Sequence, residues 1–196
     1  MTPTDRDLLQ RYARDGSQAA FAELVARHLN LVYSAAQRQV RSPTLAEEIA
    51  QSVFLDLSRQ PAALNPGTPL VAWLHVVTRR TAIDVIRRES RRRAREQAAC
   101  PELVEWAAAA LTDSAMKPTS SAWTEVEPLL DEAVDTLAPA DRSAILLRFF
   151  ENKSLRDIGA VLGTSEDTAQ KRVTRAVEQL RTFFLRRGIA LTAAGL

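Results

Sequence analysis

Cysteine is almost missing from this chain, and that shortage already narrows what it can be. One thiol, Cys100, excludes an internal disulfide framework and fits a reducing cytoplasm. The two histidines, His28 and His75, are too few and too far apart for a Cys/His zinc cluster, so no metal is expected. Six glycines leave no glycine-rich phosphate loop, and no serine or acid stands in a catalytic arrangement with either histidine. No catalytic residue, cofactor or small-molecule substrate is therefore expected. The opening MTPTDRDLLQRYARDGSQ lacks a basic segment followed by an apolar one, which argues against a secretion signal. No apolar run reaches spanning length, and the closing IALTAAGL is too short to insert, so no membrane insertion is expected.

What the chain does contain is helix-forming material. A helix-friendly mix of Ala, Leu, Arg and Glu in its 196 residues, with 46% hydrophobic and 26% charged side chains overall, favours an all-α protein. The net charge of +2 conceals a segregation. Residues 1–78 are balanced; 79–95 carry eight basic and two acidic side chains; 96–141 carry one and ten; 142–196 carry ten and five. Two basic pieces divided by an acidic one indicate two polyanion-facing surfaces with something different between them.

Periodicity divides the chain in the same way. Phe21, Leu24, Val25, His28 and Val32 make one helical stripe, and Ala46, Ile49, Ala50, Val53, Phe54 and Leu57 make a second, with Ser42-Pro43-Thr44 as the turn and helix start between them. QPAALNPGTPL breaks the helix with three prolines and Gly67. Helix resumes through LVAWLHVVTRRTAIDVIRRESRRRAREQ, with Leu70, Trp73, Leu74, Val77 and Val85 inward. The pattern then weakens from Ala98 to Thr124, which reads as a linker with a short helix over Glu102 to Leu111. Order returns with Val126, Leu129, Leu130, Ala133, Val134 and Leu137, followed after Pro139 by a helix turning Ile145, Leu146, Phe149 and Phe150 inward. The expected architecture is all-α, with two small helical domains over 5–95 and 125–188 and an acidic linker over 96–124.

SLRDIGAVLGTSEDTAQKRVTRAVEQL fits a helix-turn-helix in the second domain. Gly163 supplies the left-handed stop, Thr164 or Ser165 caps the second helix, and Glu166 and Asp167 suit its first turn. Such a pair projects its second helix outward at a width that enters the DNA major groove. Lys171 and Arg175 stand one turn apart on the polar side, Gln170 and Thr174 add neutral hydrogen-bonding groups, and Asp167 and Glu178 oppose phosphate contact. The alternative is a helical hairpin with solvated charges. TRRTAIDVIRRESRRRAR packs eight arginines into one helix and its exit, and their forked guanidinium groups suit phosphate; the alternatives are a solvated helix end or a lipid-facing surface, the latter disfavoured by Trp73 and Leu74 in the core. On the second helix Leu55 sits among Glu47, Glu48 and Gln51, the arrangement of an apolar centre in a protein-binding patch, although a single exposed leucine is common.

These segments resemble the bacterial RNA polymerase sigma factors of the extracytoplasmic-function (ECF) type. FAELVARHLNLVYSAAQRQVRSPTLAEEIAQSVFLDL is similar to the family's polymerase-binding segment, with Glu47, Glu48, Gln51 and Phe54 in its acidic pattern. LVAWLHVVTRRTAIDVIRR resembles the minus-10 helix through Trp73, Leu74, Asp84, Arg87 and Arg88, and LAPADRSAILLRFFENKSLRDIGAVLGTSEDTAQKRVTRAVEQLR resembles the family's second domain nearly end to end. The resemblance implies core RNA polymerase and promoter DNA as partners, with an anti-sigma factor as regulator. It places polymerase binding at Glu47, Glu48, Gln51 and Leu55, and minus-10 binding at Asn65, Thr68, Arg79, Arg80, Arg87 and Arg88. Minus-35 binding falls to Thr168, Gln170, Lys171, Arg172, Thr174 and Arg175, and the linker would thread the polymerase interior. Arg80 where asparagine is frequent, Ser52 for glutamate, Asp167 for glycine and Gln170 for lysine depart from the family pattern and bear on promoter preference.

Two other readings compete. A helix-turn-helix regulator with a helical sensor domain needs only the last DNA-facing segment, and a module that sequesters a partner needs neither basic region. Pairing of the acidic patch with two basic segments favours the initiation factor.

Overall fold

Serine or threonine begins five of the helices. The computed structural model describes residues 3–61, 67–99 and 122–189, which form eight α-helices. The expected helix over Glu102 to Leu111, most of the acidic linker and Asn65 lie outside the described residues. Helix α1 (Asp5–Asp15) starts at Thr4, whose hydroxyl accepts from the Asp7 N–H while the Asp7 carboxylate accepts from the Thr4 N–H, a reciprocal capping box. Ser17 caps α2 (Gln18–Val40), and Ser42 caps α3 (Pro43–Arg59) with proline at its first position. The long α4 (Leu70–Ala99) follows the proline-rich segment.

The second half has α5 (Ala122–Thr136), α6 (Pro139–Phe149), α7 (Leu155–Val161) and α8 (Glu166–Arg186). Ser154 caps α7 and Ser165 caps α8. Gly163 adopts the left-handed conformation between them, at φ +62, as its place in the sequence predicts. Gly159 matters for a different reason. A Cβ on it would lie 2.8 Å from the Thr164 carbonyl oxygen and 3.2 Å from the Ser165 carbonyl carbon, so only glycine lets α7 pass this close to the turn.

Helices α1 to α4 pack on one another, as do α6 to α8, and the buried side chains of both groups join in one apolar cluster. All six residues of the α3 stripe are buried, as are Leu24, His28 and Val32 on α2 and Leu70, Leu74 and Val85 on α4. One expectation fails on α6. Phe149 and Phe150 are 48% and 37% exposed, while the consecutive residues Ala144, Ile145, Leu146 and Leu147 are buried. The middle of this helix is wedged among α4, α7 and α8, so nearly every direction there is inward, and its last turn projects beyond those neighbours. The two halves also touch, through α4 on α6 and α2 on α5.

Candidate nucleic-acid and protein interfaces

On α3, Glu47, Glu48, Gln51 and Leu55 are all exposed and share the side opposite the buried stripe. Leu55 is 48% exposed, an apolar centre with carboxylates and an amide beside it. The surface can accept hydrogen bonds and bury one aliphatic anchor.

Helix α4 carries the arginines in a line. Arg80, Arg87 and Arg88 are exposed and fall on one stripe with Asp84, Arg91 and Arg95. Asp84 approaches Arg87 at 4.0 Å, which leaves the stripe strongly positive. Arg79 does not join it. Its side chain is half-buried, turned toward α5, and ion-paired with Asp135. Thr68 is exposed at the entry to α4.

On α8, Gln170, Lys171, Thr174 and Arg175 are exposed, and Thr168 and Arg172 are partly buried at its margins. The Thr168 hydroxyl sits 2.9 Å from that of Ser165, in the cap. Lys171 pairs with Asp167 at 2.8 Å, in the open. Arg175 is held more firmly. It donates two parallel bonds, of 2.7 and 2.6 Å, to Asp141, a carboxylate buried in the first turn of α6. The guanidinium keeps 58% of its side chain exposed, so one edge is anchored and the other faces solvent.

A second cluster was not anticipated. The Asp131 carboxylate accepts from Arg38 at 2.8 and 3.0 Å, from Gln39 at 3.2 Å, and meets the His75 ring at 3.3 Å. Burial would raise its pKa, but the His75 and Arg38 hydrogen bonds and the Arg38 charge outweigh that and hold it at about 2. His75 thus gains carboxylate partners that its own helix does not offer. The only trace in the sequence is matched spacing, His75 and Arg79 one turn apart on α4 and Asp131 and Asp135 one turn apart on α5. His28, inward as expected, meets Asp5 at 2.8 Å, with Glu151 close enough that all three offer metal-type ligand atoms within 4.8 Å. Arg27 and Lys153, each at 3.1 Å, already neutralise those carboxylates.

Residues 24–92 match the family model for sigma-70 region 2, and residues 128–180 match that for sigma-70 region 4. The RNA polymerase sigma factor CarQ of Myxococcus xanthus is 34% identical over 172 residues, covering 86% of this chain and 91% of that protein. The chain belongs to the ECF-type RNA polymerase sigma factors. ECF sigma factor SigE of Mycolicibacterium smegmatis is 32% identical over 86% of this sigma factor, which spans 64% of that longer protein. Among solved structures, CnrH in complex with the cytosolic domain of CnrY is 22% identical, with a TM-score of 0.43 over 92% of this chain and 96% of that one. The region 2 match holds the α3 patch and the α4 stripe, and the region 4 match holds α8 through Leu180. Among the described residues of this sigma factor, no helix is long and apolar enough to cross a membrane.

Proposed function

We propose that this sigma factor divides promoter recognition between its two basic helices while α3 docks it on core RNA polymerase. The first domain, 5–95, binds polymerase through Glu47, Glu48, Gln51 and Leu55. Its proline-rich loop and α4 engage the minus-10 element through Asn65, Thr68, Arg79, Arg80, Arg87 and Arg88. The second domain, 125–188, lays α8 into the major groove of the minus-35 element through Thr168, Gln170, Lys171, Arg172, Thr174 and Arg175. The acidic linker, 96–124, crosses the polymerase between them. The protein acts in the cytoplasm without catalytic chemistry of its own, and an anti-sigma protein restrains it.

The observation that carries this reading is the joint presence, on three separate surfaces, of the apolar-centred acidic face of α3, the arginine stripe of α4 and the exposed polar face of α8. A simple DNA-binding regulator has use for the last alone.

Glu48→Lys with Leu55→Arg tests the division. This pair should weaken core polymerase binding at least tenfold while helical content and duplex binding stay unchanged. Lys171→Ala with Gln170→Ala should do the reverse, weakening minus-35 duplex binding and lowering its salt slope by about 1 with polymerase binding intact. Arg175 is spared because its loss would strand the buried Asp141. Equal loss of both activities in either variant would contradict the assignment.

A further inference from the structure

Asp141 is a buried carboxylate whose oxygens are not spent on its own helix. Helix α6 begins after Ala138 without a side-chain cap, and an acid in the first turn of such a helix commonly turns back to accept from the free backbone N–H groups. Here both oxygens reach across to α8 instead. The Arg175 Nε–H donates to Oδ2 at 2.7 Å, and Nη2–H donates to Oδ1 at 2.6 Å.

Those two bonds consume one side of the guanidinium. Both hydrogens of Nη1 and the second hydrogen of Nη2 remain, and the outer pair point the same way from the end of the group. Asp141 is 2% exposed and Arg175 58%, so the anchored side lies inward and the free end faces solvent on the polar side of α8. Two parallel donors held in this way match the O6 and N7 acceptors that guanine presents in the major groove. Adenine sets an N–H₂ donor against one of them, and a pyrimidine lacks the paired acceptors.

A phosphate would accept from the same fork, but charge argues against it. The Asp141 carboxylate that fixes the guanidinium also cancels its pull on a polyanion and repels an arriving phosphate. Lys171 can leave the solvent-exposed Asp167 at little cost, whereas Arg175 cannot leave Asp141 without stranding a buried charge. On this helix Lys171 is suited to attraction and Arg175 to discrimination.

We propose that Asp141 is a positioning residue for promoter reading, fixing Arg175 so that its free Nη1 and Nη2 donors read a guanine of the minus-35 element. The inference rests on the reading of α8 as the minus-35 helix and goes beyond it by naming the base and the residue that sets its choice.

Holoenzyme assembled from core RNA polymerase and the full chain, competed against promoter fragments carrying each single base-pair change in the minus-35 element, tests this. The parent should disfavour replacement of one guanine by about tenfold or more, and 7-deazaguanine at that position, which lacks N7, should reproduce part of the loss. Asp141→Asn should flatten the preference to less than about threefold and steepen the salt dependence by up to about 1, because the released guanidinium becomes free to meet phosphate. Arg175→Lys keeps a charge beside Asp141 but loses the fork, so it should flatten the same preference without steepening the salt dependence. Circular dichroism confirms that both variants are folded. A domain merely loosened by the substitution would bind all fragments less well in parallel, with preference and salt slope unmoved, and that result would overturn the proposal. So would a guanine preference that survives in Asp141→Asn, or a parent that discriminates elsewhere in the element but at no guanine. A parent holoenzyme indifferent to every minus-35 position would instead defeat the reading of α8 itself, and this inference with it.

Discussion

Gly159 and Asp131 show how single residues set this structure. At Gly159 even one methyl group would press on backbone atoms of the turn that follows. Gly159→Ala should therefore cost about 1–3 kcal/mol in chemical denaturation and weaken minus-35 binding, and a neutral result would contradict the close approach of α7 to the turn. Asp131 makes a prediction about acid. Its carboxyl titrates at about 2 in the folded protein against an ordinary value of 3.8, so the ionised form is favoured by folding. That shift corresponds to roughly 2 kcal/mol, fully present above about pH 4 and lost as pH falls toward 2. The stability gap between the parent and Asp131→Asn should shrink over that interval; a gap independent of pH would mean that Arg38 and His75 do not hold the carboxylate ionised. Sequence reasoning finds Gly163, the helix start at Ser42-Pro43-Thr44 and, as one of two candidates with Thr164, the cap Ser165, because cap chemistry is local. Gly159 escapes it, since the need for glycine there arises from two segments meeting in space.

At the scale of the element, legibility follows exposure. Helix α3 has one buried and one solvated side, so its 3.6-residue rhythm predicts both the six buried residues and the Glu47, Glu48, Gln51 and Leu55 face. Helix α6 is surrounded through its middle, its rhythm is lost, and Phe149 and Phe150 are misassigned to the interior as a result. On α8 the polar face is legible, but the sequence gives Arg175 no partner, and its tie to Asp141, 34 residues earlier, exists only in the folded domain. That tie bears on how α8 reads DNA. In the proposed minus-35 contact Arg175 would enter the groove already oriented by Asp141, while Lys171, paired with exposed Asp167, would be free to swing to a phosphate. The contrast is the reason the Lys171 and Gln170 substitutions isolate DNA contact from domain stability.

For the whole molecule, order along the chain indicates two groups of helices, whereas their packing on one another leaves almost no trace. His75 and Asp131 stand 56 residues apart, and helical periodicity carries no information about which surfaces of separate bodies meet. Hence nothing in the sequence singles out Asp131 and Asp135, which in the structure bridge the two halves. In the proposed reading the three faces on α3, α4 and α8 act together on core RNA polymerase, which supplies the chemistry while this chain supplies the address. Transcription from purified components, with core RNA polymerase, this protein and a library of promoter fragments, measures that directly. RNA starting at defined positions downstream of a shared pair of elements, and absent without the protein, is the predicted result; a chain that neither associates with core polymerase nor yields any start-site-specific RNA would contradict the account.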